Sequence, residues 1–131
     1  MVRYCVALSL AVLLLGACGP LLSSRPSELS LVIQRPVALD EANVKMLDAQ
    51  LRAFSAQNNL KFSMNGAPGA GPSFAVEMTD PSKRNSFTVT SPFEANKFMF
   101  GYYSSFRDVE SLNRGRSLFE RLIRTATKSA N

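Results

Sequence analysis

The side chains able to do chemistry in this chain are few and unevenly placed. Its 131 residues include no histidine, so the group that most often moves protons near neutral pH is missing. Serines are plentiful, but a serine nucleophile needs an adjacent base, and no Lys or Glu stands at a recognisable spacing from one. Both cysteines, Cys5 and Cys18, lie near the N-terminus. A bridge between them would staple no fold. Zinc draws mainly on Cys and His, and Asp40, Glu41 and Asp48 lack calcium-loop spacing. The expectation is a protein that is not an enzyme and binds no metal.

Three other groupings invite a chemical reading. Gly66, Gly69 and Gly71 in NGAPGAGPS have the density of a phosphate loop, but the Gly-Lys-Ser/Thr ending is absent and two prolines remove backbone donors. The segment reads as a connection between strands. Arg107, Arg114, Arg121 and Lys128 recur every seven residues near the C-terminus. With Arg124 they would share an arc of about 100° on a helix, together with Glu110; Glu120 at its edge is spaced i to i+4 from Arg124. This face is either plain solvated surface or a contact for anionic lipid headgroups, lipopolysaccharide phosphates or an acidic partner. Nucleic acid would need basic residues interleaved with aromatics, and the export that the N-terminal residues below suggest argues against it. The aromatic residues Phe93, Phe98, Phe100, Tyr102 and Tyr103 form the third grouping. On a strand, Phe98, Phe100 and Tyr102 would pack under a helix while Met99 and Tyr103 face the other way. An uncovered face there would be a partner surface.

The first residues set the address. Met1 and Arg3 give a positive start, Val6 to Leu15 an apolar core, and Gly16 and Ala17 a small-residue approach to Cys18. This is the pattern of a secretory signal. The apolar run is shorter than the roughly 20 residues a spanning helix needs. Leu15-Gly16-Ala17-Cys18 resembles the lipobox of bacterial lipoprotein precursors. The resemblance implies cleavage between Ala17 and Cys18, with a diacylglycerol and an N-acyl chain carried covalently on Cys18 and no other cofactor. Two or more acyl chains anchor stably where one does not. Gly19 replaces the aspartate that, in such proteins, resembles an inner-membrane retention signal. That points to the periplasmic face of the outer membrane, or to the cell membrane if the host has no outer one. Cys5 falls in the removed segment.

These groupings need a scaffold. Residues 1–17 are read as signal peptide and 18–28 as lipidated cysteine and flexible tether, since Pro20, Pro26 and three serines disfavour a packed element. Leu29, Leu31 and Ile33 alternate with Ser30, Val32 and Gln34, a strand from Leu29 to Arg35 that Pro36 should end. Asp40 caps a helix from Glu41 to about Gln57, with Val44, Leu47, Leu51 and Phe54 as its apolar stripe. Asn58-Asn59 suits its end. Leu60 to Met64, Phe74 to Met78, Phe87 to Val89 and Lys97 to Tyr103 alternate as four more strands. Gly101 in the last marks a bulge or a close approach. A final helix runs from Ser105, as cap, to Lys128. Val109, Leu112, Phe119, Ile123 and Ala126 make its apolar face, and Gly115 within that face predicts close packing on a sheet.

Residues 29–131 are therefore a single α+β domain. It should be a small two-layer sandwich of β-α-β-β-β-β-α order, with a mostly antiparallel sheet and two helices on one face. In plan it is similar to several small envelope domains, including the lipoprotein that assists lipopolysaccharide assembly, although no motif in residues 29–131 ties it to that family. The expected role is a non-catalytic accessory or scaffolding subunit of an envelope transport, secretion or assembly complex, with a membrane and an envelope protein as partners. The alternative is a lipid- or glycolipid-binding protein. Replacing Cys18 with serine should abolish acylation and leave the signal unprocessed by the lipoprotein route. A normal-sized, palmitate-labelled product from that variant would refute the anchor.

Overall fold

The computed structural model describes residues 28–69, 73–91 and 96–128. The signal, Ala17, Cys18, most of the tether, Gly71 and Phe93 lie outside them. Five strands and two helices follow the expected order: β1 (Ser30–Ala38), α1 (Glu41–Gln57), β2 (Lys61–Asn65), β3 (Ala75–Thr79), β4 (Asn85–Thr90), β5 (Lys97–Ser104) and α2 (Val109–Thr127). The sheet order is β1-β5-β4-β3-β2, and all four ladders are antiparallel. β2 to β5 form a meander, and β1 closes on the end of it. β1 and β2 therefore occupy opposite edges and do not pair. Four strand spacings separate them, about 19 Å. A 17-residue helix is about 25 Å long, and α1 returns the chain from the Ala38 end of the ladders to the end where β2 begins.

Both helices pack on one face. Alternation along the strands aims Phe87, Val89, Phe98, Phe100 and Tyr102 inward, all nearly or wholly buried, with Val76 and Met78 beside them. Leu47, Leu51 and Phe54 from α1 and Phe119, Leu122 and Ala126 from α2 close the core from above. Each large apolar side chain so buried contributes about 1.5–3 kcal/mol. The Phe87 and Tyr102 rings stack at 5.0 Å, and Phe74 meets Phe98 edge-on at 5.8 Å. Leu39, in the turn before α1, is buried as well. No helix among the described residues is long and apolar enough to cross a membrane.

The helix ends follow local chemistry. Asp40 Oδ1 accepts the Asn43 amide at 2.7 Å, capping α1. At the far end Asn59 takes a left-handed φ of 55°, as an asparagine there can. The start of α2 differs from the sequence reading. Asp108, not Ser105, is the cap, its Oδ2 accepting the Ser111 amide at 2.9 Å. Ser105 is held outside the helix: its amide donates to the Arg84 carbonyl, and its hydroxyl accepts from Arg84 Nε. With the helix starting later, Val109 falls on its open first turn and is 72% exposed, rather than on the apolar face.

β1 also departs from expectation, twice. Pro36 does not end it; the strand runs on to Ala38, and Pro36 pairs with Met99. β1 is an edge strand, and an edge is where a residue without an N–H fits a ladder. A bulge at Val32 then changes the phase. Leu31 lies opposite Tyr103 and Ile33 opposite Tyr102, so the two leucine-like positions point to opposite faces. Leu31 ends 49% exposed. The irregularity foreseen at Gly101 thus sits across the ladder. Gly101 itself answers the other alternative, close approach: a Cβ there would stand 2.7 Å from Thr88 Oγ1.

At Gly115 the α2 backbone sits directly on the sheet. A Cβ there would lie 1.8 Å from the Tyr102 hydroxyl oxygen and 2.1 Å from the ring carbon bearing it. Gly115→Ala should cost at least the ~1–3 kcal/mol of ordinary overpacking, because the Tyr102 ring is held by its stack on Phe87 and its hydroxyl by Asn85. Urea unfolding measures it; an unchanged midpoint would contradict this seating of α2.

Candidate functional site

The basic stripe begins at Arg114 rather than at Arg107. Arg107 precedes α2, where the backbone is not helical, and so leaves the arc that helical spacing assigned to it. Arg114, Arg121, Arg124 and Lys128 are exposed, with Lys128 at the C-cap. Arg114 and Arg121 alone of the five line a shallow groove of about 490 Å³ beside α2, whose opposite wall is Asn58 at the end of α1. Each has a partner. Arg114 donates to Glu110 Oε1 at 3.0 Å and to Ser111 Oγ at 3.2 Å. Arg121 donates to Asn58 Oδ1 at 3.1 Å. The contact is an exchangeable one: exposed pairs of this kind are worth little, so an incoming anion would have to displace only a weak internal bond.

A second opening of about 250 Å³ joins the first at Asn58, Arg114 and Leu118 and runs under the first half of α2. Its apolar wall is Leu60, Phe87, Phe106 and Leu118, and its polar end is Asp80 and Asn85. The polar end is internally satisfied. Tyr102 donates its hydroxyl to Asn85 Oδ1 at 2.9 Å, as does Ser104, and Asn85 Nδ2 donates to Asp80 Oδ2 at 2.8 Å. Asp80 Oδ1 gathers the Arg84 amide and the Ser82 hydroxyl, fixing the β3–β4 turn, in which Lys83 takes a φ of 61°. Burial pushes the Tyr102 phenol above its ordinary value against the hydrogen bond to Ser104, so it stays a donor.

The outer face of the sheet carries no helix among the described residues. Most of it is polar: Thr79 and Glu77 on β3, Thr88 and Thr90 on β4, Lys61 and Ser63 on β2. The apolar exception is the β1–β5 side, where Leu31 stands opposite Tyr103 and Pro36 opposite Met99. Met99 and Tyr103 are half-buried, with Tyr103 lying over Gly101. The expectation that Phe98, Phe100 and Tyr102 go in while Met99 and Tyr103 go out is met.

One pairing escaped the sequence reading. Glu120 is held by Arg35 of β1 in a two-pronged contact of 2.7 and 3.0 Å, rather than by Arg124 four residues on. The Arg35 guanidinium also lies 5.6 Å from the Phe119 ring centre. The signal was available only in hindsight: Arg35 is a charge at an inward position of an edge strand. Among the described residues no three His, Cys, Asp or Glu side chains gather as a metal site. No protein-family model and no curated protein sequence matches the chain.

The hydrogen bond and charge of Arg35 hold the Glu120 carboxyl below its ordinary 4.5. The folded state therefore binds fewer protons than the unfolded one just below that pH. The Glu120 contribution is full above 4.5 and is lost as pH falls through the depressed value. Glu120→Gln should flatten the acid limb of a stability–pH curve. An acid limb as steep as in the unaltered protein would show that the contact does not persist in solution.

Proposed function

We propose that the protein is a bacterial lipoprotein anchored through Cys18 at the periplasmic face of the outer membrane. Its domain serves as a non-catalytic accessory or scaffolding subunit of an envelope transport, secretion or assembly complex. The anchoring half rests on the lipobox-like Leu15-Gly16-Ala17-Cys18 and the signal that precedes it. The observation supporting the scaffolding half is the apolar strip on the outer sheet face, where Leu31, 49% exposed, stands opposite Tyr103 and, further along the ladder, Pro36 stands opposite Met99. Exposed apolar clusters of this kind mark partner surfaces. Their position favours a partner close to the bilayer. Leu31 is the second residue of the first strand, and the eleven or so residues from Cys18 to Glu28, even extended, reach no more than about 40 Å.

The groove beside α2 favours a second reading, in which Arg114 and Arg121 receive an anionic headgroup of a lipid or glycolipid. Two measurements separate the readings. A photo-crosslinker at Leu31 in intact cells should give a discrete protein adduct that depends on Cys18. A crosslinker at Ala53, on the open side of α1, should not. Replacing Arg114, Arg121 and Lys128 with glutamine should leave that adduct unchanged. If the substitutions instead weaken binding to anionic liposomes, and Leu31 yields no protein adduct, the lipid reading replaces the scaffolding one.

A further inference from the structure

The two edges of the sheet are finished differently. β1 is guarded. It contains Pro36, which lacks a donor, and a bulge at Val32 that breaks its regular repeat. Its inner side is latched by the Arg35–Glu120 contact. Proline and bulges are devices that stop an edge from pairing with another chain. β2 has neither. Its five residues, Lys61 to Asn65, pair with β3 in unbroken register, and no described strand lies on its other side. The core also thins there. Val76 and Met78 of β3 are fully buried, whereas Met64 and Phe62, their partners in β2, are only half-buried.

We infer that the open edge of β2 pairs antiparallel with the β2 of a second copy of this chain, joining two five-stranded sheets into one of ten strands. The sequence KFSMN is self-complementary in that arrangement. With Ser63 on the two-fold axis, Phe62 faces Met64 of the partner on the inner side, and completes the burial that each lacks alone. Lys61 faces Asn65 of the partner, so no like charges oppose one another. The helix above the edge complements itself too. Arg52 lies 4.5 Å above the Phe62 ring and is paired with Asp48 at 2.6 Å, on the flank of α1 away from α2. Across the axis the Arg52 of one copy approaches the Asp48 of the other, in opposite order. A strand spacing of about 4.8 Å at the seam sets the two α1 helices at about the 8–10 Å separation of packed helices, since α1 covers the β2 side of the sheet.

Ser63 provides the test, since its side chain is exposed on the outer face and would meet its own copy. In cells making the full chain, Ser63→Cys should form a disulfide-linked dimer under mild oxidation, because directly opposed antiparallel residues lie within disulfide reach. Gln34→Cys, on the guarded edge, should not. The purified full chain in density-matched detergent should sediment as two copies. Ser63→Lys, which sets two ammonium groups on the axis, should sediment as one copy with its far-UV circular dichroism unchanged. If that variant unfolds, the cysteine pair decides. A single copy at every concentration would overturn the proposal. So would a Ser63→Cys adduct to a different protein, dimer formation no greater than with Gln34→Cys, or a dimer that a folded Ser63→Lys chain retains.

Discussion

α2 lies where it does because one of its residues has no side chain. The helix backbone at Gly115 rests on the Tyr102 hydroxyl, closer than any Cβ would permit. That contact sets the height of the helix above β5. Phe119 and Leu122, one and two turns further on, then reach the sheet with no space to spare. It also explains the polar group beneath them. A tyrosine hydroxyl pressed under a helix must find an acceptor, since leaving it unmatched would cost ~1–3 kcal/mol. Asn85 supplies one, and Asp80 in turn orients Asn85. The turn between β3 and β4 is thus tied to the same point. One close approach couples the last helix, the centre of the sheet and a hairpin loop.

How much of this was legible in the sequence followed from how local its cause is. The period-2 and 3.6-residue patterns place six of the seven elements to within a few residues, and the Asp40 cap to the residue. Gly115 inside an apolar face was readable as close packing. What failed was non-local. Pro36 reads as a terminator because a sequence does not say which strand will lie at an edge. The bulge at Val32, which turns Leu31 outward, is decided by the register against Tyr103 and Tyr102, some 70 residues away. Ser105 and Asp108 are both competent caps. Arg84, across a loop contact, claims Ser105 and leaves the cap to Asp108.

The candidate site divides in the same way. The seven-residue spacing of Arg107, Arg114, Arg121 and Lys128 is a property of an ideal helix. The chain is helical only from Val109, so the repeat loses Arg107, and of the others Arg114 and Arg121 line the groove at Asn58. Asn58, set in place as the cap of α1, has no reason in its own neighbourhood to face Arg121. The outer-face aromatic split needed only the alternation of one strand and was readable. The asymmetry of the two edges needed the strand order.

The position of β1 has a mechanical consequence. Among the described strands it is the first and lies at an edge, bonded along one side, to β5. Tension arriving from the N-terminal side enters at Ser30, at the very end of that ladder. Such a load peels the strand, straining its hydrogen bonds one after another instead of all together, and the bulge at Val32 is among the first places it reaches. The peel then meets Arg35, whose grip on Glu120 runs up to α2 rather than across to β5. That bond is strained in a different direction from the ladder. The domain is thereby given a weak first step and a latch behind it.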